Sequence, residues 1–231
     1  GGFAGYSSVG TFENCYNHLT IYSASGSKVA GFIGFYLGGS LVESCGNYGS
    51  VCTHHSGGNA AGIAGQIIGS TENKIFNTFN RGNIIAHGAT GLAGGIFGYS
   101  GSANITLKNC YNASSVTCPG SQGMILASYG SSGKLSVSNT YFASGFNGAT
   151  KATKNSNSWS SASGSGTISS MTQSAMKSLA TANKLNADVF TYDASVNDGY
   201  PIHVNVFLEP ERVLGQEPVE IILIENSIFT L

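Results

Sequence analysis

Glu13 and Glu43 are the residues of this chain best spaced for joint chemistry. They lie 30 positions apart, one period of a repeat described below, so stacking would set the two carboxylates about 5 Å apart. A carboxylate pair at that separation suits a retaining glycosidase, one group working as acid and base and the other as nucleophile. No third polar residue recurs with them, which favours two solvated glutamates on an outward strand face. Cys52 with His54 and His55 suggests a metal site. Adjacent strand residues point to opposite faces, however, so a loop histidine pair is the plainer reading. His18, His87 and His203 are scattered along the chain. Cys15 and Cys45 fall in neighbouring units, close enough for a disulfide. Cys45 with Cys110, and Cys52 with Cys118, are two units apart and too far to bridge. Five cysteines without regular spacing read as free, packed thiols, and no motif supports a Cys-His nucleophile. The sequence therefore predicts no catalytic residue, no cofactor and no metal ligand. The aspartate-rich nonapeptide of calcium-binding rolls is also missing.

What could position such residues is a degenerate unit of about 31 residues, written five times between Gly2 and Phe142. Its most legible stretch reads Asn14-Cys15-Tyr16-Asn17, Ser44-Cys45-Gly46-Asn47, Asn77-Thr78-Phe79-Asn80, Asn109-Cys110-Tyr111-Asn112 and Asn139-Thr140-Tyr141-Phe142. The first members are 30, 33, 32 and 30 residues apart. Upstream of each lies a glycine-rich apolar segment: Gly2-Phe3-Ala4-Gly5, Gly31-Phe32-Ile33-Gly34, Gly62-Ile63-Ala64-Gly65, Gly95-Ile96-Phe97-Gly98 and the weaker Gly123-Met124-Ile125-Leu126. A period of this length marks a repeat architecture.

Within a unit, apolar and polar residues alternate as in a strand, for example over Ile105-Thr106-Leu107-Lys108-Asn109. Phe12, Val42, Ile75, Leu107 and Val137 form an apolar column, and Val51, Ile84 and Val116 mark a third short strand. Helical periodicity is absent here, and each glycine would cost a helix about 1 kcal/mol. One unit buries too little to fold alone, so units must stack and pair their backbones above and below. The predicted class is all-β: a right-handed parallel β-solenoid (β-helix) of about five coils, with a small C-terminal α/β cap. The leading alternative, a β-propeller, needs roughly 40 or more residues per blade.

Stacking turns equivalent positions into structural ladders. One is Asn14, Ser44, Asn77, Asn109 and Asn139; a second, asking for small side chains, is Cys15, Cys45, Thr78, Cys110 and Thr140. The third, Asn17, Asn47, Asn80 and Asn112, is expected to bond amide to amide at a bend that tolerates the left-handed conformation. Tyr6, Phe35, Tyr36 and Tyr99 follow the glycine segments and are candidate ligand-facing aromatics, although core or turn positions would suit them equally.

Bulk composition narrows the partners. The chain has 231 residues, 33 glycines, only 9% charged residues and a formal net charge of −1. It offers no electrostatic footprint for nucleic acid or an anionic membrane, and no apolar stretch long enough to span a bilayer. Gly1-Gly2-Phe3 lacks signal-peptide features and enters repeat chemistry directly, so the chain reads as a mature or excised piece of something longer. Three acids precede residue 188, whereas eight lie between Asp188 and Glu225. That shift, behind a Ser/Gly/Asn-rich stretch, divides the chain into repeats (1–145), a connection and cap (146–205), and a tail or following domain (206–231). In the cap, Ser170-Met171-Thr172-Gln173 has capping-box spacing, and Met176, Leu179, Ala180 and Asn183 would share one face of a helix near 171–183. Asn197-Asp198-Gly199 reads as a turn, with Tyr200 extended before Pro201. Asn104-Ile105-Thr106 and Asn112-Ala113-Ser114 match the N-glycosylation pattern, which matters only for a eukaryotic source; Asn104 is then the better candidate.

Gly94-Gly95-Ile96-Phe97-Gly98 followed by Ile105-Thr106-Leu107-Lys108-Asn109-Cys110-Tyr111-Asn112 resembles the GLUG repeat of bacterial surface proteins and adhesins. The resemblance covers roughly residues 1–142. Leu185-Asn186, Phe190 and the run from Val196 to Ile202 are similar to the closing element that often follows such repeats. It implies a cell-surface or secreted solenoid within a longer protein, whose partners would be a host glycan, an extracellular protein, or other copies or domains of the same surface protein. The family includes regions joined to a zinc peptidase that cleaves immunoglobulin A. The His-Glu-x-x-His helix of that peptidase is missing here, so its activity does not carry over. Unit five departs from the pattern: its glycine pair is lost and Phe142 replaces the asparagine, as expected where a coil meets a cap. The expected role is a non-catalytic adhesive or structural module. The alternatives are a carbohydrate-active β-helix enzyme and a subunit of an extracellular filament or sheath.

Overall fold

The computed structural model describes residues 1–130, 133–153, 158–161 and 164–204; the tail or following domain read at 206–231 lies outside them. The repeats wind into a parallel β-solenoid of five coils, here divided into five sheets named in chain order. Sheet I stacks Ala4–Ser7, Ile33–Leu37, Ala64–Ile68, Phe97–Ser100 and Leu126–Tyr129. Sheet II stacks Thr11–Glu13, Leu41–Glu43, Glu72–Phe76, Asn104–Lys108 and Lys134–Ser138. Sheet III stacks Tyr16–Asn17, Gly46–Asn47, Phe79–Asn80, Tyr111–Asn112, Tyr141–Ser144 and, from the closing segment, Ser169–Thr172. Sheet IV has Ile21–Ser23, Val51–Thr53, Ile84–Ala86 and Val116–Thr117; sheet V has Lys28–Ala30, Asn59–Ala61, Leu92–Gly94 and Ser121–Gly123. Sheets I, II and IV coincide with the strands read from the sequence. Sheet V escapes that reading because Asn59-Ala60-Ala61 and its counterparts show no regular apolar–polar alternation and end on a small residue, Ala30, Ala61, Gly94 or Gly123.

Asn14, Ser44, Asn77, Asn109 and Asn139 all adopt the left-handed conformation, with φ between 43° and 56°. They make the corner between sheets II and III. The left-handed residues are therefore not the Asn17 column, as the sequence suggested, but the column three residues earlier. The corner also resolves where the small column points. Cys45, Thr78, Cys110 and Thr140 are buried, and each donates its S–H or O–H to the carbonyl two residues before it, across the corner. Cys45 reaches the Glu43 carbonyl at 3.1 Å, Thr78 that of Phe76 at 2.7 Å and Cys110 that of Lys108 at 3.2 Å. A short side chain carrying one donor is what this position selects, which is why Cys and Thr interchange.

The Asn17 column is an interior amide ladder. Asn17 Nδ2 donates to Asn47 Oδ1, Asn47 to Asn80 and Asn80 to Asn112, each at 2.7 Å. The same amides hold, within their own coils, the Gly49 and Gly82 carbonyls two residues on, at 2.8 and 2.9 Å. Directly across stands the first glycine of each apolar segment. A Cβ on Gly31 would sit 2.2 Å from Asn47 Oδ1, and one on Gly62 or Gly95 would sit 2.5 Å from the amide carbon of Asn80 or Asn112. The two sequence signatures are thus one contact. In coil five both members change together: Met124 follows Gly95 in its column and Phe142 follows Asn112. Both are buried in one apolar cluster, and the ladder ends with the Asn112 Nδ2 amide donating to the Ser114 carbonyl at 3.4 Å.

The closing segment does more than cap. Gly148 bridges to Val116, backbone N–H groups of Met124, Ile125 and Leu126 donate to the carbonyls of Lys151 and Ala152, and Ser169–Thr172 extends sheet III. The presumed linker contains an antiparallel strand pair, Ser158–Ser161 with Gly164–Thr167. The predicted helix is two: α1 (Gln173–Met176), N-capped by Thr172, and α2 (Leu179–Asn186), N-capped by Ser178. Ser178 restarts the helix and shifts its phase. The buried residues are consequently Met176, Thr181, Ala182 and Leu185, while Leu179, Ala180 and Asn183 are exposed. The Asn197-Asp198-Gly199 turn forms with positive φ throughout, and Tyr200 is extended at φ −80°, ψ 154°, as expected.

From there the chain runs back along the flank of the solenoid as a brace over the outward column Tyr16, Phe79, Tyr111 and Tyr141 of sheet III. Phe79 and Tyr111 stack at 5.1 Å beneath Phe190 and His203. Gly46 keeps this column passable, because a Cβ there would meet the Phe79 ring at 2.4 Å. Arg81 pairs with Asp198 at 2.7 Å, bonds Asn197 at 3.1 Å and lies 3.9 Å over the Tyr200 ring. At the far end His203 Nε2 donates to the Asn77 carbonyl and Nδ1 accepts from the Tyr16 hydroxyl, both at 2.6 Å. The brace thus reaches from coil four to coil one.

Two outcomes are expected. Asn47→Ala should lower stability by about 3 kcal/mol in urea unfolding, since it strands buried partners on Asn17, Asn80 and Gly49 together. Burial holds His203 neutral and pushes its pKa from 6.5 down to about 4, against the opposing pull of its bond to Asn77. A released His203 takes a proton below its ordinary value while a docked one does not. Stability should therefore fall as the pH drops from 6.5 towards 4, by about 3 kcal/mol in total. Urea midpoints across that window should show the loss in the native chain and a flatter profile in His203→Gln.

Candidate functional site

Sheets I, II and IV carry outward positions beyond the brace. On sheet I, strand alternation places Tyr6, Phe35, Gln66, Tyr99 and Ser128 in one register column. Tyr6 is 57% exposed and Phe35 is half-buried. Their rings stack in parallel, 5.6 Å apart at 9°, and the Lys28 ammonium lies 5.9 Å from the Phe35 centroid. Tyr99 is half-buried two coils further on, beyond Gln66. Tyr36 does not belong with them. It is one residue out of phase and fully buried in the core, so it cannot face a ligand.

Sheet II carries the glutamates. Glu13 and Glu43 are register partners on adjacent coils, as their spacing predicts. Glu13 is exposed, while half-buried Glu43 accepts a bond from Asn77 Nδ2 at 3.2 Å. The next member of their column is Phe76, so the pair has an apolar neighbour in place of a polar partner. The asparagine ladder at the adjoining corner runs against the interior one: Asn139 donates to Asn109 at 3.1 Å and Asn109 to Asn77 at 2.9 Å. Of the glycosylation candidates, Asn112 is fully buried, whereas Asn104 lies on sheet II and donates to the Ser70 carbonyl at 2.6 Å.

All five cysteines are free. Burial pushes the Cys45 and Cys110 thiols up to about 12, which makes them packing groups and poor nucleophiles. His54 and His55 both lie in the loop that follows the strand Val51–Thr53, as the loop-pair reading has it, and they take different partners. His55 Nδ1 accepts from the Gly57 N–H at 3.1 Å, while His54 stacks on His87 of the next coil at 4.1 Å and 18°. Cys52 stands on the same side, two residues before His54. The signal for this cluster was the separation of 33 between His54 and His87, equal to the local repeat. Among the described residues no helix is long and apolar enough to cross a membrane.

No family model matches the chain, and no curated protein matches it. Among solved structures, the fold is similar to a crystal structure from Bacteroides ovatus described as a putative immunoglobulin A1 protease. That similarity has a TM-score of 0.64 at 18% sequence identity, over 87% of this chain and 74% of the other. At that identity the likeness establishes a shared solenoid architecture and nothing about the chemistry of individual residues.

Proposed function

We propose that this chain is a non-catalytic, stiff segment of a larger cell-surface or secreted protein of the GLUG-repeat type, binding a glycan or an extracellular protein through the outer face of sheet I. The observation that carries the reading is the parallel stack of Tyr6 on Phe35, presented on a regular sheet beside Lys28. Exposed aromatic faces give contact area at low entropic cost, and such residues are enriched where proteins bind partners. Among the described residues, the exposed large apolar side chains are Phe3, Tyr6, Val9, Leu19, Tyr22 and Leu179. All but the last belong to coil one, which supports contact of that end with further copies or domains of the surface protein.

The register pairing of Glu13 with Glu43 supports one second reading, a carbohydrate-active β-helix enzyme. A single series separates the two. On a glycan and matrix-protein array, Tyr6→Ala with Phe35→Ala should weaken binding by more than about tenfold, while Glu13→Gln with Glu43→Gln should bind like the native chain. Polysaccharide turnover by the native chain that disappears in the glutamine variant would overturn the non-catalytic reading.

A further inference from the structure

The geometry of sheet IV points to a transition-metal site: we infer that Cys52, His54 and His87 bind one Zn(II) ion on its outer face. Cys52 lies in the strand Val51–Thr53 and His54 one residue past its end, where the ladder bond from the His54 N–H to the Ser23 carbonyl carries the alternation on and keeps the two on the same side. Stacking then adds His87 from the coil above, since Thr53 and Ala86 are register partners and each histidine follows one of them. The backbone fixes both histidines: the His54 N–H donates to the Ser23 carbonyl and the His87 N–H to the Thr53 carbonyl, each at 3.0 Å. One ligand atom from each of the three side chains lies within 4.8 Å of the others.

A tetrahedral zinc with bonds of about 2.0–2.3 Å holds its ligands about 3.5 Å from one another. The three groups must therefore close by roughly an ångström, which rotation about the side-chain bonds supplies. Both histidines are exposed and Cys52 is half-buried, so the rings have room to turn against their own stacking and the Tyr22 contact. At present the two imidazoles lie nearly parallel. Ligation splays them until one nitrogen of each aims at a common centre. Tyr22, tilted against His54 at 5.4 Å, supports that ring on its other neighbour's side.

The donor set decides the ion. One thiolate and two neutral imidazoles favour a borderline ion such as Zn(II) over the oxygen-seeking Ca(II) and Mg(II). On binding, the Cys52 S–H bond breaks, its proton leaves to solvent and a sulfur–zinc bond forms. Three protein ligands on an open face leave the fourth position to water or to a side chain from a partner. His55 and Cys118 stand outside the set: His55 is engaged with Gly57, and the Cys118 sulfur accepts from the Gly120 N–H at 3.3 Å.

The inference is independent of the glycan-binding proposal and is tested without it. The full chain, kept reduced, is titrated with Co(II) as a spectroscopic probe and with Zn(II) by calorimetry. One equivalent of Co(II) should produce a thiolate-to-metal charge-transfer band that Cys52→Ser abolishes. His87→Gln should weaken Zn(II) by more than about tenfold, and His55→Gln should match the native chain. Circular dichroism on each variant checks that the strands persist. Absence of the band in the native chain, its survival in Cys52→Ser, or native affinity in His87→Gln would each overturn the site.

Discussion

Everything in the solenoid is arranged around a polar column in its interior. Buried side-chain amides are tolerable only when donor and acceptor are both engaged, and the run from Asn17 to Asn112 meets that demand by bonding to itself coil after coil. The amide needs room, and the facing glycines, Gly31, Gly62 and Gly95, supply it by having no Cβ. Any side chain there would strike the ladder. A constraint that repeats once per coil fixes the vertical register of all five sheets, because a slip of one residue would strand every amide at once. Coil five shows the same rule from the other side. When Phe142 cannot continue the ladder, the glycine is no longer required and Met124 fills the space.

Much of this was legible because repetition exposes columns that a single copy would hide. The period, the core positions Val42, Ile75 and Leu107, and the pairing of Glu13 with Glu43 all follow from aligning units. What stayed illegible depends on local phase or on contacts far apart in sequence. Tyr36 was grouped with Tyr6 by its place after a glycine, and one residue of strand phase separates a core side chain from a surface one. Leu179 and Ala180 fit a single helix read from Met176, but Ser178 caps a second helix and rotates that face outward. His54 and His87 look unrelated along the chain, although their separation is one local period.

The C-terminal brace is the largest feature that repetition could not reveal. Its signal was indirect: an outward column containing Tyr16, Phe79, Tyr111 and Tyr141 is too aromatic for a solvent face, and such a column needs a cover. Solenoids are usually stabilised by nearest neighbours alone. Here Arg81, Tyr111 and Tyr16 each take a contact from residues 197–203, so distant coils share one element. Unfolding should thereby become more cooperative than a simple array would allow.

A stack of equivalent coils has no internal reason to stop at a given height, and duplication or loss of a unit is its easiest genetic change. The strap along sheet III acts as a ruler against that drift. Its turn is pinned at Arg81 and its end at both Tyr16 and Asn77, so His203 ties the first coil to the third. An extra unit inserted between Tyr16 and Arg81 would carry one anchor about 4.8 Å out of reach of the other. The number of coils between the two anchors is thus measured by the fold itself.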